Sequence, residues 1–192
     1  DANLFRIIGV FGDKTKVIRA KSTGTQKWNT NDSSTWSSSS LNTYLNGTYL
    51  TSLGTIAEKI ATTTWKVKSF GYDPSDTPPT LYTKEIKNNN NTYEAKIGLM
   101  YISDYVYGAS PSAWTLKGKD NDDSKCYTSA SSINWLYLGS NEWTMSSYDS
   151  SVVFSISTSG SFGGVKPSSF SFQVRPTGYL ISSITYSSGT GT

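Results

Sequence analysis

The apolar residues of this chain come in short runs separated by polar turns, and that spacing constrains the fold more than any other feature. Residues 4–12 (LFRIIGVFG) form a nearly continuous apolar run, followed by Gly12-Asp13-Lys14 and a second run at 15–20 (TKVIRA). The turn residues between two such runs predict a β-hairpin, with the first strand buried on both faces. Residues 65–70 (WKVKSF) alternate and read as a half-exposed strand, and 96–102 (KIGLMYI) read as a buried one. Residues 133–138 (INWLYL) are another apolar run. Residues 152–165 alternate around Ser159-Gly160, a second hairpin, with Ser155 and Ser157 at alternating positions. Residues 170–181 close the chain as one strand, which Pro176 marks as an edge or a bulge. No run approaches the ~18 apolar residues of a membrane span.

Helices are fewer. Leu41, Tyr44 and Leu45 recur at helical spacing behind a serine tract, with Gly47 as the stop. Leu53, Ile56, Ala57 and Ile60 repeat the spacing. Residues 73–80 carry three of the six prolines and read as a loop, and 87–92, with four consecutive asparagines, as an exposed tip. The expected class is α+β, a single domain over 1–192, with mostly antiparallel strands and two short helices in the first half.

Composition fits that reading. Thirteen Tyr and 6 Trp suit half-buried pleated surfaces, and the abundant Ser, Thr, Asn and Gly suit turns. A net charge of +3, without basic runs, does not point to nucleic acid. Cys126 is the only cysteine, so no internal disulfide forms; with this composition that points to a bacterial, archaeal or phage surface protein. Any secretion signal or anchor is expected upstream of Asp1. Asn31-Asp32-Ser33 and Asn46-Gly47-Thr48 fit the glycosylation pattern but read as plain loop residues.

The absence of histidine removes the usual general base, the usual triad and the commonest zinc ligand. No phosphate loop is present. Asp120-Asn121-Asp122-Asp123 attracts a cation on paper, but Lys125 and Ser131 occupy the positions where an EF-hand needs Gly and Glu. No metal or cofactor is expected, and the chain reads as a non-enzyme. A carboxylate-pair glycoside hydrolase remains the catalytic alternative, with Glu58, Glu85, Glu94, Asp104 and Glu142 available and nothing in the sequence pairing them.

FRIIGVF near the start, KIGLMYISDYVYGAS in the middle, then NWLYLGSNEWTMSS and QVRPTGYL resemble bacterial extracellular domains with a C-type-lectin-like fold. Some of these are the variable proteins of diversity-generating retroelements. The resemblance spans nearly the whole chain. It implies a packed scaffold presenting a replaceable binding face, with NWLYLG as a core strand and QVRPTGYL as the closing strand. The chain departs from calcium-dependent lectins: their disulfide cysteines and their E-P-N, Q-P-D and W-N-D motifs are missing, so calcium-mediated sugar binding is not implied. Residues 146–173 are dense in Ser, Gly and Phe and include Tyr148 and Asp149. That density fits a diversified region and fits an ordinary serine-rich β surface equally.

The binding face is therefore expected within residues 148–173. Its candidates are Tyr148, Asp149, Ser155, Ser157, Phe162, Lys166, Ser168, Ser169, Ser171 and Gln173, with Phe162, Lys166 and Ser168 as turn contacts. Phe170 and Phe172 share parity and are expected to face the core. Trp135 is expected in the core as well, whereas Trp143 could be core or surface. Arg175 is expected to pair with a carboxylate rather than touch ligand. The expected ligand is a protein or glycan on another cell or phage, bound by an extracellular or surface-displayed monomer. A structural module of a pilus or other surface protein is the second alternative.

Overall fold

The computed structural model describes residues 3–73, 76–110 and 133–184. Cys126, Trp114, Asp120–Asp123, Lys125 and Ser131 lie outside them. The architecture is α+β, with two five-stranded sheets, one two-stranded ribbon and a few short helices.

The first hairpin forms as its turn predicts. β1 (Phe5–Phe11) pairs antiparallel with β2 (Lys14–Arg19), and Gly12 supplies the left-handed residue, φ +65°, that the turn requires. β1 is not buried on both faces. It is the edge of its sheet, and Leu4, Ile7 and Val10 are exposed. A bulge between Ile7 and Gly9 shifts the side-chain alternation, so an apolar run alone misplaced its faces. Burial belongs instead to β2, whose Val17 and Ile18 enter the core. The sheet continues through β12 (Thr177–Leu180) to β4 (Ile60–Ala61), and β7 (Ile97–Gly98) also pairs with β12.

The second sheet runs β10 (Phe162–Val165), β9 (Val153–Ile156), β8 (Glu142–Ser147), β11 (Ser171–Gln173), β3 (Thr25–Lys27). β9 and β10 are the predicted hairpin, with Gly160 at φ +83° in its turn. The predicted closing strand is two strands in different sheets. The chain leaves the second sheet at Gln173, passes Val174-Arg175-Pro176, and enters the first at Thr177. Pro176 cannot donate to a ladder, so the break falls there.

Ser39 caps α1 (Ser40–Tyr44), its hydroxyl accepting the Asn42 amide at 3.0 Å. Gly47 does not stop the helix. It lacks the positive φ of a helix end, and the chain runs on through a π-helical stretch, Leu45–Tyr49, into α2 (Leu50–Ser52) and a 3₁₀ turn, Gly54–Lys59. Asn46, far from being a plain loop residue, accepts from the Ile97 amide at 2.9 Å and donates to its carbonyl at 2.8 Å. The strand from Trp65 is shorter than predicted: β5 (Thr63–Lys66) pairs with β6 (Thr92–Ala95). The proline-rich stretch ends in a helix, α3 (Pro78–Tyr82), extended by a π turn, Thr83–Lys87. Thr77 caps it, and proline fits a first helical turn. The asparagine tip is not wholly exposed, since Asn89 is buried and donates to Val67 O. Beyond β7 the run KIGLMYI stays buried without pairing as a strand and enters α4 (Ile102–Tyr107). INWLYL is a turn rather than a core strand.

One cluster of buried side chains is built around Trp28, Trp36, Trp65 and Trp143. A second joins Ile18, Leu81, Tyr105, Leu136, Phe154 and Phe162. Truncating one of these side chains to alanine typically costs about 2–5 kcal/mol.

Candidate functional site

The expected face does not assemble as one patch. Phe162 is 1% exposed, packed edge-on against Phe154 at 5.9 Å and Tyr72 at 5.6 Å. Ser155 is buried within β9. Neither can contact a ligand on the surface. The β9–β10 pairing explains this: Phe162 stands opposite Ile156, and both point to the core. Ser157 joins Ser159 and Ser161 in a hydroxyl cluster at the hairpin turn, at 2.7 and 2.9 Å.

Tyr148 and Asp149 sit exposed on the β8–β9 turn. The Asp149 carboxylate accepts from the Ser151 amide at 2.7 Å and hydroxyl at 3.0 Å, which holds it below its ordinary pKa. Lys166 and Ser168 converge on Asp32, the ammonium at 3.3 Å. Those contacts, the serine hydroxyl foremost, lower the Asp32 pKa. Ser34 reaches back to the Asp149 carbonyl. The loop holding Asp32 and Ser34 therefore links the two groups, and nothing local in its sequence announced that role. Ser169 and Ser171 are exposed, and Gln173 is half-buried opposite Thr25. Phe172 packs on Trp143 at 4.6 Å, but Phe170, stacked on Phe172, is 54% exposed rather than in the core.

The larger surprise is Trp135. It is 41% exposed, whereas Trp28, Trp36, Trp65 and Trp143 are 2% exposed or less. It forms one wall of a cleft of about 310 Å³, facing Phe11, Tyr82 and Tyr107, with Ser103 and Asp104 also in the lining. Tyr82 and Tyr107 meet edge to face at 6.4 Å. The two walls are tied together: Trp135 N donates to Gly108 O at 3.3 Å, and Asn134 donates to Tyr105 O at 2.7 Å. Gly108 is needed for this approach, because a Cβ there would lie 2.5 Å from Asn134 Oδ1. Trp135 was expected in the core because tryptophan is usually highly buried, but INWLYL forms a turn that leaves this indole at the surface.

Behind the cleft lies a buried polar cluster. The Lys16 ammonium pairs with Asp104 Oδ2 and lies 4.3 Å from the centre of the Tyr101 ring. Burial lowers the Lys16 pKa against the opposing pull of Asp104. Asp104 Oδ2 also takes the Tyr101 amide at 2.7 Å. Glu85 is buried, with one oxygen on the Ser103 amide at 2.9 Å and the other on the Ser146 hydroxyl. Burial raises its pKa, outweighing those hydrogen bonds. Glu85 does not line the cleft, and Glu58 and Glu94 are exposed elsewhere. Glu142 is bound to Arg175 at 2.7 and 2.8 Å, so Arg175 pairs with a carboxylate as expected.

No family model, curated protein or solved structure matches this chain.

Among the described residues no three metal-ligating side chains gather, and no helix is long and apolar enough to cross a membrane. What the cleft offers is an aromatic wall, a neutral ion pair behind it, and the Asp104 oxygen Oδ1, which makes no hydrogen bond among the described residues. Such a surface can stack against the apolar face of a ring and accept hydrogen bonds at its edge.

Proposed function

We propose that the chain is a surface-displayed binding domain on a C-type-lectin-like scaffold, and that its ligand is a glycan seated in the cleft beside α4. The exposed Trp135, set against Tyr82 and Tyr107 around a concave space, carries this reading. A pyranose ring has an apolar C–H face and a hydroxyl rim. Trp135 and Tyr107 supply the stacking surface, and Asp104 supplies the acceptor for a hydroxyl. Lys16 balances the Asp104 charge, which favours a neutral ligand over a cation. The volume sits at the small end of ligand pockets, ~300–1,000 Å³, and suits one or two sugar units. Binding fits this lining better than hydrolysis, because the described lining presents one carboxylate whereas glycosidases use two.

Titration with a panel of neutral mono- and disaccharides, followed by tryptophan fluorescence, tests the reading. A binding sugar should blue-shift emission from Trp135. Trp135→Ala should weaken binding at least tenfold while leaving the melting temperature within a degree or two. Unchanged affinity in that variant would remove the cleft from consideration.

A second reading is a protein partner on the face around Tyr148, Lys166 and Phe170, favoured by the exposed, stacked Phe170. An imperfect repeat of the sequence encoding residues 143–180, beside a reverse transcriptase gene, would support diversification of that face.

A further inference from the structure

Lys16 is a lysine sealed inside a sheet. β2 lies between β1 and β12, with Lys16 opposite Gly9 on one side and Tyr179 on the other, and the residue is 1% exposed. Its ammonium is ringed by Tyr101, Tyr179, Trp65 and Phe11, at 4.3, 5.5, 5.6 and 5.7 Å from the ring centres. Its one hydrogen-bond acceptor among the described residues is Asp104 Oδ2. An ammonium carries three N–H donors, so two are left facing rings, whose attraction offsets only part of the loss.

Asp104 is held as firmly. It is the third residue of α4, and its Oδ2 also takes the Tyr101 amide at 2.7 Å. Tyr101 is fixed in turn, its hydroxyl accepting from the Lys66 amide at 2.6 Å. Asp104 Oδ1 makes no hydrogen bond among the described residues. The unpartnered atoms of the pair, two N–H hydrogens and one oxygen, are the atoms of one water molecule.

We infer that Lys16 Nζ and Asp104 Cγ join in an intramolecular amide bond, a cross-link between β2 and α4 formed by the folded protein itself. The ammonium first passes a proton to the carboxylate across the hydrogen bond that joins them. The Nζ lone pair then attacks Cγ, and the Tyr101 amide stabilises the negative charge gathering on Oδ2. A second proton follows from nitrogen, both protons end on Oδ1, and the Cγ–Oδ1 bond breaks with its electron pair on oxygen. One water departs through the cleft that Asp104 lines, and Oδ2 remains as the amide oxygen. No oxidant or co-reactant is consumed. In water this condensation loses to hydrolysis, but here the reactants are held in contact and the aromatic cage excludes solvent. Burial also pushes the Lys16 amine towards its neutral, nucleophilic form, against the pull of Asp104. The oxygens of Glu85, the other buried acid that bears on Lys16, are taken by Ser103 and Ser146, which leaves Asp104 as the acyl partner.

The inference does not rest on the glycan reading. An amide oxygen accepts a sugar hydroxyl as a carboxylate does, so either can fail alone.

Intact mass spectrometry of the purified, denatured protein tests it. The mass should fall short of the sequence mass by one water. Trypsin does not cut after an acylated lysine, so the digest should contain residues 15–19 joined to residues 97–117, with fragment ions placing the link at Lys16 and Asp104. The double variant Lys16→Met, Asp104→Leu should show its own full sequence mass and no joined peptide. The parent measurement stands by itself should that variant not fold. A parent at full sequence mass overturns the inference and leaves Lys16 and Asp104 an ion pair. So does a mass deficit without the joined peptide, which would place the lost water elsewhere in the chain.

Discussion

Trp135 and Trp143 occupy similar apolar-polar alternations, yet one is exposed and the other sealed. Residue type could not separate them, because the fate of an indole depends on which strand or turn covers it. The same limit applied to the acids. Arg175 was legible as a partner for a carboxylate, since a lone arginine in an apolar strand must be neutralised. The burial of Glu85 was not, because Ser103 and Ser146 reach it from distant parts of the chain. Glu85 nonetheless has a measurable consequence. Burial holds its folded pKa above the ordinary glutamate value, so the folded protein retains this proton to higher pH than the unfolded chain does. The favourable contribution is complete below that ordinary value and is lost as pH rises through the folded value. Glu85→Gln keeps an acceptor for Ser103 and abolishes that loss. The variant should melt with the parent near pH 4 and above it at pH 7, by ~1.4 kcal/mol for each tenfold change in proton affinity. A lower melting temperature at pH 7 would show that the ionised form is a net stabiliser.

Local chemistry announced the elements that local chemistry controls. Gly12 and Gly160 placed both hairpins, and the serine tract placed the first helix cap, because turns and caps are set by a few adjacent residues. Faces and extents were harder. The helical path after α1 outran Gly47, α3 began inside a proline-rich stretch, and β1 lost its alternation at a bulge. Among the described residues β1 has an open edge, with Leu4, Ile7 and Val10 exposed. Such an edge is a template for self-pairing, which charged side chains suppress. Replacing Ile7 and Val10 together by lysine should change stability by no more than about 0.5 kcal/mol per site. Light scattering at high concentration should fall. A large loss in thermal stability would mean that these side chains pack in the folded protein.

At the scale of the molecule, the passage from Gln173 to Thr177 joins the two sheets, and Arg175 sits at the crossing. Its guanidinium holds Glu142 of β8 and also donates to the carbonyl of Leu136, next to Trp135 in the cleft wall. The core and the proposed glycan site therefore share one side chain. Arg175→Met leaves Glu142 buried and unpaired and should cost about 3–5 kcal/mol. Adding Glu142→Leu removes the stranded carboxylate, whose pKa burial already raises, and should recover most of that loss. Stability and binding then separate. The double variant melts near the parent but no longer anchors Leu136, so sugar affinity at Trp135 should fall about tenfold or more, the equivalent of ~1.4 kcal/mol. Thermal melts of the parent, both singles and the double, with fluorescence titrations of the same four proteins, measure both quantities. Parental affinity in a stable double variant would show that the cleft wall stands without Arg175.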